Sequence, residues 1–193
     1  SDVADGVWYL EENTVLYPAG HNVIIYFTET KTQKFIPGTE GSGGITALAV
    51  SPNKRYVAVA ECGQRGMVSI YDWNTQKKRK VLTSTECNSQ EYVSMCFSNN
   101  KQLLTLGGSP DWTLVLWQWE KAKVVATVKV SNTAGAPLSQ CSFNPVDPSV
   151  VCATGSGIFK AFRIIDSLFK PMPNLLGQME PRNFTSHLWL NDE

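Results

Sequence analysis

Apolar and polar side chains alternate with a period of two along most of the chain, and turn residues interrupt this alternation at short intervals. Between Ile45 and Thr83 the alternation forms four runs, bounded by glycine, proline, serine or asparagine. Such alternation is typical of half-buried β-strands, and the bounding residues are those that tight turns favour. The runs cover residues 45–50, 56–60, 67–71 and 79–83. This segment is therefore predicted to fold as a four-stranded antiparallel meander.

The same four-run pattern recurs along the chain at an almost constant interval. One landmark is the last apolar residue of each first run: Val50, Phe97, Phe143 and Leu190. Another is the aromatic residue that closes each third run: Tyr26, Tyr71, Trp117 and Phe162. The intervals are 47, 46 and 47 residues for the first landmark, and 45, 46 and 45 for the second. A repeat of this length with four short strands is typical of a WD40-type β-propeller, whose sheets bury their faces by stacking on neighbours.

The sequence thus predicts an all-β fold, a partial WD40-type β-propeller that occupies residues 1–193. Its predicted blades cover residues 7–37, 45–83, 92–129 and 138–170. A last apolar run at 185–190 is predicted as the innermost strand of a fifth blade. Because propellers usually close with more blades than this, we expect the chain to be a piece of a longer protein. The alternative is a closed ring of four blades in which the last run completes the first blade.

The composition fits a cytosolic globular protein. Hydrophobic residues make up 42% of the 193 residues, and 17 basic side chains balance 17 acidic ones. A net charge of zero indicates neither nucleic acid nor a membrane surface as the partner, so any binding site based on charge must be local. No run of 18 apolar residues and no signal-peptide pattern is present.

Five cysteines occur at irregular spacing and without a C-x-x-C pair: Cys62, Cys87, Cys96, Cys141 and Cys152. They are predicted to be reduced residues of the core and turns, and neither a disulfide framework nor a metal site.

Other residues with reactive side chains do not form a recognisable catalytic pattern. The glycine-rich stretch at 38–44 precedes a strand and lacks a Gly-Lys-Ser/Thr ending, so it is predicted to be a flexible linker between blades. His21 and His187 fall in different blades, and neither has an evident nucleophile and acid beside it. Carboxylates such as those of Asp72, Asp111 and Asp147 fall at turns, which aspartate favours. No catalytic, cofactor-binding or metal-binding residue is predicted, although Asp111 is a candidate for holding its turn together.

Several longer strings resemble the N-terminal propeller of the cilia- and flagella-associated WD-repeat proteins, which have tandem propellers and a coiled-coil tail. The strings are YPAGHN at 17–22, KTQKFIPG at 31–38, SPNKRY at 51–56, WQWEK at 117–121 and GSGIFK at 155–160. The chain departs from the general WD40 pattern because no blade keeps both Gly-His and Trp-Asp, for which Tyr71-Asp72 is the nearest equivalent. The resemblance implies a non-enzymatic scaffold of the axoneme that helps to place or regulate inner dynein arms on doublet microtubules.

Local charge supplies the candidate binding site. In a propeller, the turns between the first and second strands and between the third and fourth strands emerge on one face. On this face the turns of the second predicted blade carry a charge of +5, and those of the third carry +2 because Glu120 offsets one of three lysines. The candidate partner-binding residues are Lys54, Arg55, Lys77, Lys78, Arg79, Lys101, Lys121 and Lys123. They form either a docking patch for an acidic partner or an ordinary solvated surface.

Two interpretations of the function follow. The first, implied by the resemblance, is an axonemal adaptor within a larger assembly, located in the cytoplasm, the cytoskeleton and the cilium or flagellum. Its candidate partners are dynein-arm components and tubulin, whose acidic tails suit a basic patch. The alternative is a WD40 scaffold of another complex, a ubiquitin-ligase receptor or a nuclear complex subunit, with residues 77–80 as an import signal. An enzyme is not indicated by any cluster of acids, metal ligands or nucleophiles.

Overall fold

Four antiparallel β-sheets of four strands each make up the fold in the computed structural model, which describes residues 3, 6–98, 101–131, 136–180 and 182–190. The first sheet contains β1 (Trp8–Glu11), β2 (Thr14–Ala19), β3 (Asn22–Phe27) and β4 (Thr32–Pro37). The second contains β5 (Ile45–Val50), β6 (Tyr56–Glu61), β7 (Met67–Asp72) and β8 (Lys77–Leu82). The third contains β9 (Tyr92–Phe97), β10 (Gln102–Gly107), β11 (Thr113–Gln118) and β12 (Lys123–Lys129). The fourth contains β13 (Leu138–Phe143), β14 (Val150–Gly155), β15 (Ile158–Ile165) and β16 (Leu168–Pro171).

Each sheet is a simple meander, since every strand pairs only with its neighbours along the chain. The prediction of an all-β fold with four-stranded antiparallel sheets is confirmed, and the blade total and WD40 type stay predictions. The one helical element among the described residues is a 3₁₀ turn at Trp119–Lys121, which the sequence analysis did not predict. Tight turns between strands use residues with positive φ, such as Gln76 and the pair Asp166 and Ser167.

Three apolar clusters hold the sheets together, one between each pair of consecutive sheets. Leu16 and Val59 belong to the cluster between the first and second sheets. Val68 and Trp117 belong to the cluster between the second and third, and Phe143 belongs to the cluster between the third and fourth. The alternating strand residues that face these clusters are buried, so the stacking of sheets supplies most of the hydrophobic stabilisation.

The innermost strands contact one another at equivalent positions of the repeat. The Thr46 hydroxyl on β5 donates to the Tyr92 carbonyl on β9 at 2.8 Å, across 46 residues. The Cys141 N–H on β13 donates to the Ser94 hydroxyl at 3.1 Å, across 47 residues. The repeat period is therefore the sequence separation between neighbouring inner strands.

Residues 184–190 continue this arrangement without forming a strand. The prediction of a β-strand at 185–190 is wrong for this structure, because the described backbone of these residues joins no hydrogen-bonded ladder. Contacts to β13 run through side chains instead: the His187 N–H donates to the Gln140 side-chain oxygen at 2.7 Å, again across 47 residues. The segment thus takes the position next to β13 at the same offset that β13 has from β9.

Candidate protein-interaction surface

Two arginines and one aspartate meet where strands of the second sheet end. Asp72 is the last residue of β7, Arg55 precedes β6, and Arg79 lies in β8. Arg55 Nε and Arg79 Nη2 both donate to Asp72 Oδ2, at 3.1 and 3.2 Å. The Asp72 side chain is 3% exposed, whereas those of Arg55 and Arg79 are 55% and 42% exposed. One buried carboxylate therefore orients two guanidinium groups that also face solvent.

Asp72 remains ionised despite its burial. Burial by itself would raise the pKa of the carboxyl group, but hydrogen bonds from Arg55, from the Thr75 backbone N–H and from Arg79 outweigh it. The pKa of Asp72 therefore lies below its ordinary value. The Thr75 N–H reaches Oδ1 at 3.3 Å, so the carboxylate also holds the turn between β7 and β8.

The end of the second sheet that carries Arg55 and Arg79 borders a cleft shared with the third sheet. The rings of Tyr56 and Trp119 meet there with their centroids 4.9 Å apart, which joins the two sheets at this end. The cleft has a volume of about 350 Å³. Its lining residues are Arg55, Tyr56, Arg79, Lys80, Trp119 and Glu120. A side chain that enters the cleft would meet aromatic surface, two arginines, a lysine and one acid.

The remaining predicted patch residues differ in their surroundings. Lys77, Lys121 and Lys123 are exposed at the same ends of the second and third sheets. Lys78 lies over the Tyr71 ring, with its ammonium 5.4 Å from the centroid.

Two of the predicted patch residues, Lys54 and Lys101, have side chains that contact other parts of the protein. Lys54 Nζ donates to the Tyr9 carbonyl of the first sheet at 2.9 Å, and Lys101 lines a separate hollow with Gln118 and Val125. The structure thus brings Arg55 and Arg79 together and leaves Lys54 and Lys101 apart from them.

The charge count made from the sequence omitted Asp72. That count placed no acid in the turns of the second blade, although Asp72 had itself been assigned to a turn. With Asp72 included, the charge at this end of the second sheet is +5 − 1 = +4. We call the adjoining positively charged ends of the second and third sheets the basic end, formed by Arg55, Lys77, Lys78, Arg79, Lys121 and Lys123.

Acidic side chains elsewhere brace loops. Asp111 accepts the Asn88 backbone N–H at 2.8 Å and Lys129 Nζ at 3.2 Å, and it thereby ties the loop before the third sheet to the β10–β11 turn. The Asn88 hydrogen bond is the main reason that the pKa of Asp111 is lowered; burial opposes it, and Lys129 adds to it. For Asp147, the Ser149 hydroxyl is the main cause of a lowered pKa, followed by Arg163 at 2.8 Å. These contacts are structural.

Glu61 is a buried acid that the sequence analysis did not single out. Its carboxylate, in a residue that is 1% exposed, accepts the Thr39 N–H and hydroxyl at 2.7 Å each and the Ser42 hydroxyl at 3.0 Å. The stretch at 38–44, predicted as a flexible linker, is therefore held against the end of β6. Gly38 is required there, since a Cβ atom would collide with the His21 carbonyl oxygen. A lone acid among apolar strand residues was the available signal for Glu61.

Ser142 and His187 also come together, which the sequence analysis did not foresee. Ser142 Oγ lies 2.5 Å from His187 Nε2, and the Trp189 indole N–H donates to the same hydroxyl at 2.7 Å. The other ring nitrogen of His187 faces the Thr154 hydroxyl at 2.8 Å, so a hydroxyl occupies the position that a carboxylate would take in a catalytic triad. The repeat period was the signal that could have predicted this pair, because the two residues are 45 positions apart.

None of the five cysteines, all of which lie in the described residues, forms a disulfide, and Cys87, Cys141 and Cys152 are buried. Burial raises the pKa of Cys152 to about 12. No group of three or more His, Cys, Asp or Glu side chains in the described part of the chain is placed to hold a metal ion. A separate finding is that the described residues contain no helix with the length and apolar character needed to cross a membrane.

Comparison with known proteins relates the whole chain to ciliary proteins. The chain is 38% identical over 195 residues to cilia- and flagella-associated protein 57 of Mus musculus, with 99% of the chain covered. It is 30% identical over 180 residues to cilia- and flagella-associated protein 57 C of Tetrahymena thermophila, with 88% covered. The chain is a homologue of the cilia- and flagella-associated proteins.

The chain is also 31% identical to cilia- and flagella-associated protein 44 of Mus musculus, over 152 residues that make up 78% of the chain. The alignments cover 15%, 14% and 8% of these three relatives, so the chain corresponds to a small part of each. No protein-family profile matches the chain. The resemblance inferred from the sequence is confirmed by these relatives.

Proposed function

We propose that this chain is part of a non-enzymatic scaffold of the ciliary or flagellar axoneme, which helps to assemble or regulate inner dynein arms on doublet microtubules. The single observation that carries the ciliary part is the 38% identity to cilia- and flagella-associated protein 57 along 99% of the chain. The scaffold role is supported by the architecture, since four stacked sheets with buried interfaces present fixed turns to partners.

A non-enzymatic role is also supported by what the polar side chains contact. Asp72 orients two arginines, Asp111 braces a loop, and Glu61 holds the stretch between the first and second sheets. Their hydrogen bonds are directed at neighbouring backbone and side-chain groups of the chain itself. A surface of braced turns suits the binding of proteins.

Within this role, the basic end is the proposed docking site for an acidic partner, either an acidic axonemal subunit or the acidic tails of tubulin. Asp72 reduces the positive charge by one unit, yet it also fixes Arg55 and Arg79 in place. Fixed guanidinium groups lose less conformational entropy on binding a carboxylate than mobile ones do. The exposed lysines around them add long-range attraction for negative charge.

Localisation and axoneme structure of a knockout test the proposed function. The full-length protein with a fluorescent tag is expected along the axoneme, and its deletion is expected to remove or displace inner dynein arms in electron tomograms. A tagged protein that stays in the nucleus or cytoplasm, or a deletion that leaves every inner arm in place, contradicts the proposal. Re-expression of the wild-type protein in the knockout is the control for off-target loss.

A further inference from the structure

A groove beside the fourth sheet has the features of a peptide-binding site. It has a volume of about 530 Å³ and lies between β12 of the third sheet and the outer strands of the fourth. Residues of β15 line one side and Val128 of β12 lines another. The segment after β16 supplies Met172, Leu176 and Met179 as the remaining wall. We call this space the β15 groove; it is separate from the basic end.

The outer strand β16 covers only half of the edge of β15. Pairing between them runs from Ile165 with Leu168 to Phe162 with Pro171. Beyond this, the Met172 N–H donates to the Ala161 carbonyl at 2.9 Å. Pro173 comes next and has no N–H to donate, so the segment leaves the sheet at this point. Among the described residues, no outer strand pairs with the first residues of β15, although the Gly157 N–H directly before them donates to the Arg182 carbonyl at 2.9 Å.

Because β16 ends early, the backbone N–H and C=O groups of Phe159 have no partner strand within the described part of the chain on the outer side of β15. Alternate residues of an antiparallel strand direct their N–H and C=O groups to the same side of the strand. The N–H and C=O groups of Phe159 therefore point to the side on which the Ala161 carbonyl accepts the Met172 N–H. This side is the β15 groove, which Phe159 lines. Among the described residues, no backbone group pairs with Phe159 there. An unpaired strand edge is a template for the addition of a strand.

The side chains around this edge restrict the chemistry of the occupant. Val128, Met172, Leu176 and Met179 give apolar walls, and methionine adapts its shape to different apolar partners. Met179 is 64% exposed, so this wall has apolar surface that a ligand can cover. A peptide strand satisfies both features, because its backbone bonds the edge while every second side chain enters the groove.

Two lysines line the groove as well. Lys160 Nζ donates to the Val130 carbonyl at 2.7 Å, a neutral acceptor that does not cancel the charge of the ammonium group. Lys129 is 58% exposed and shares its charge with Asp111, 3.2 Å away. Positive charge at the groove favours negative charge on the occupant.

We propose that the β15 groove binds an extended segment of a partner protein, which pairs with the Phe159 edge as an added strand. The segment has apolar residues at alternate positions and acidic residues at its flanks. This inference rests on the edge, the walls and the lysines, and it does not depend on the proposed function of the basic end.

Selection from a peptide library tests the proposal, because the sequences that bind are enriched from a random pool without assuming a ligand. The full-length protein is panned against displayed random peptides of about ten residues, the length of one strand with its flanks. The expected result is enrichment of sequences with alternating apolar residues and acidic flanks. Enrichment of proline-rich or basic sequences, or of no sequence that binds at the groove, overturns the proposal.

A matched pair of variants locates the binding of the selected peptides. Met179→Glu places a negative charge in the wall of the groove, whereas Leu168→Glu places the same charge on an exposed position of β16 outside it. Met179→Glu is expected to weaken binding about tenfold or more, because apolar contact is lost and an acidic flank is repelled. Leu168→Glu is expected to leave the affinity within about twofold. Equal effects of the two substitutions contradict a site in the groove.

Hydrogen exchange distinguishes an added strand from a ligand held by side chains alone. Mass spectrometry of the fragment that contains residues 157–163 should show slower amide exchange when a selected peptide is bound, since the Phe159 N–H becomes hydrogen-bonded. A fragment that does not line the groove, containing residues 45–50, serves as the control and should not change. Unchanged exchange in 157–163 at saturating peptide rules out strand addition.

Discussion

The Trp117 indole N–H donates to the Thr105 hydroxyl at 2.9 Å, inside the cluster between the second and third sheets. Both residues are 0% exposed. Trp117 lies on β11 and Thr105 on β10, so the bond crosses neighbouring strands of one sheet. It supplies the partner that a buried indole requires, and lets a large aromatic side chain pack where sheets stack.

Removal of the Thr105 hydroxyl is therefore expected to destabilise the protein. Thr105→Val keeps the shape of the side chain but leaves the Trp117 N–H buried without its acceptor, which should lower the free energy of unfolding by about 1 to 3 kcal/mol. Urea denaturation followed by fluorescence measures the change. Thr105→Val is expected to cost less in a Trp117→Phe background, which has no indole N–H, than in the wild type, and an equal cost in both backgrounds would contradict this account.

Phe143 is expected to be among the largest single contributors to the cluster between the third and fourth sheets. It is 5% exposed and lies at the end of β13, so Phe143→Ala should lower the free energy of unfolding by about 3 to 5 kcal/mol. Leu188→Ala is the control, because Leu188 is 85% exposed and its loss should change stability by less than about 0.5 kcal/mol. An unchanged melting temperature for Phe143→Ala would show that this cluster is misassigned.

Acid should destabilise the protein partly through Asp72. Its folded-state pKa is lowered, so as the pH falls below the unfolded-state value of about 3.9, the unfolded chain takes up the proton first. The stabilisation by Asp72 is thus complete above this value and is lost as the pH falls through the folded-state pKa. Asp72→Asn is expected to be less stable at neutral pH and to lose less stability between pH values of about 5 and 3.

Thermal melts at several pH values measure this dependence. Asp166→Asn, in the exposed turn between β15 and β16, is the control for the same substitution made away from Asp72. An Asp72→Asn profile that is parallel to the wild type throughout this range would show that Asp72 does not contribute to acid sensitivity.

Binding to microtubules is expected to depend on salt and on the lysines of the basic end. Lys77, Lys121 and Lys123 are exposed, and their joint replacement by Glu changes the local charge by six units, two for each substitution. Cosedimentation of the full-length protein with microtubules should fall in this variant. It should also fall with added salt for the wild type, since exposed charges are screened over about 8 Å at physiological ionic strength.

These three lysines are chosen because the structure gives other patch residues internal roles. Arg55 bonds Asp72, and Lys54 bonds the first sheet, so their replacement would also disturb folding. A control variant with the same change in charge replaces exposed lysines of the first and fourth sheets, Lys31, Lys34 and Lys170. Equal binding by both variants and the wild type would mean that the basic end only serves solubility.

The sequence by itself determined the sheets of this protein. The period-two alternation places residues 45–50, 92–97 and 138–143 on strands with the observed bounds, because alternation is a local property of a strand with one buried face. The repeat period also predicted which strands would be equivalent. The basic residues at the turns could be identified from the same pattern, since turns of a meander alternate between its two ends.

Only the tertiary structure decided what those side chains contact. The grouping of Arg55 and Arg79 on Asp72, the clasp of Glu61 on residues 38–44 and the meeting of Ser142 with His187 all join residues from 7 to 45 positions apart. Such contacts depend on strand register, side-chain direction and the packing of one sheet on the next. The strand predicted at 185–190 shows the same limit, because an alternating pattern becomes a strand only when a second backbone is placed to bond it.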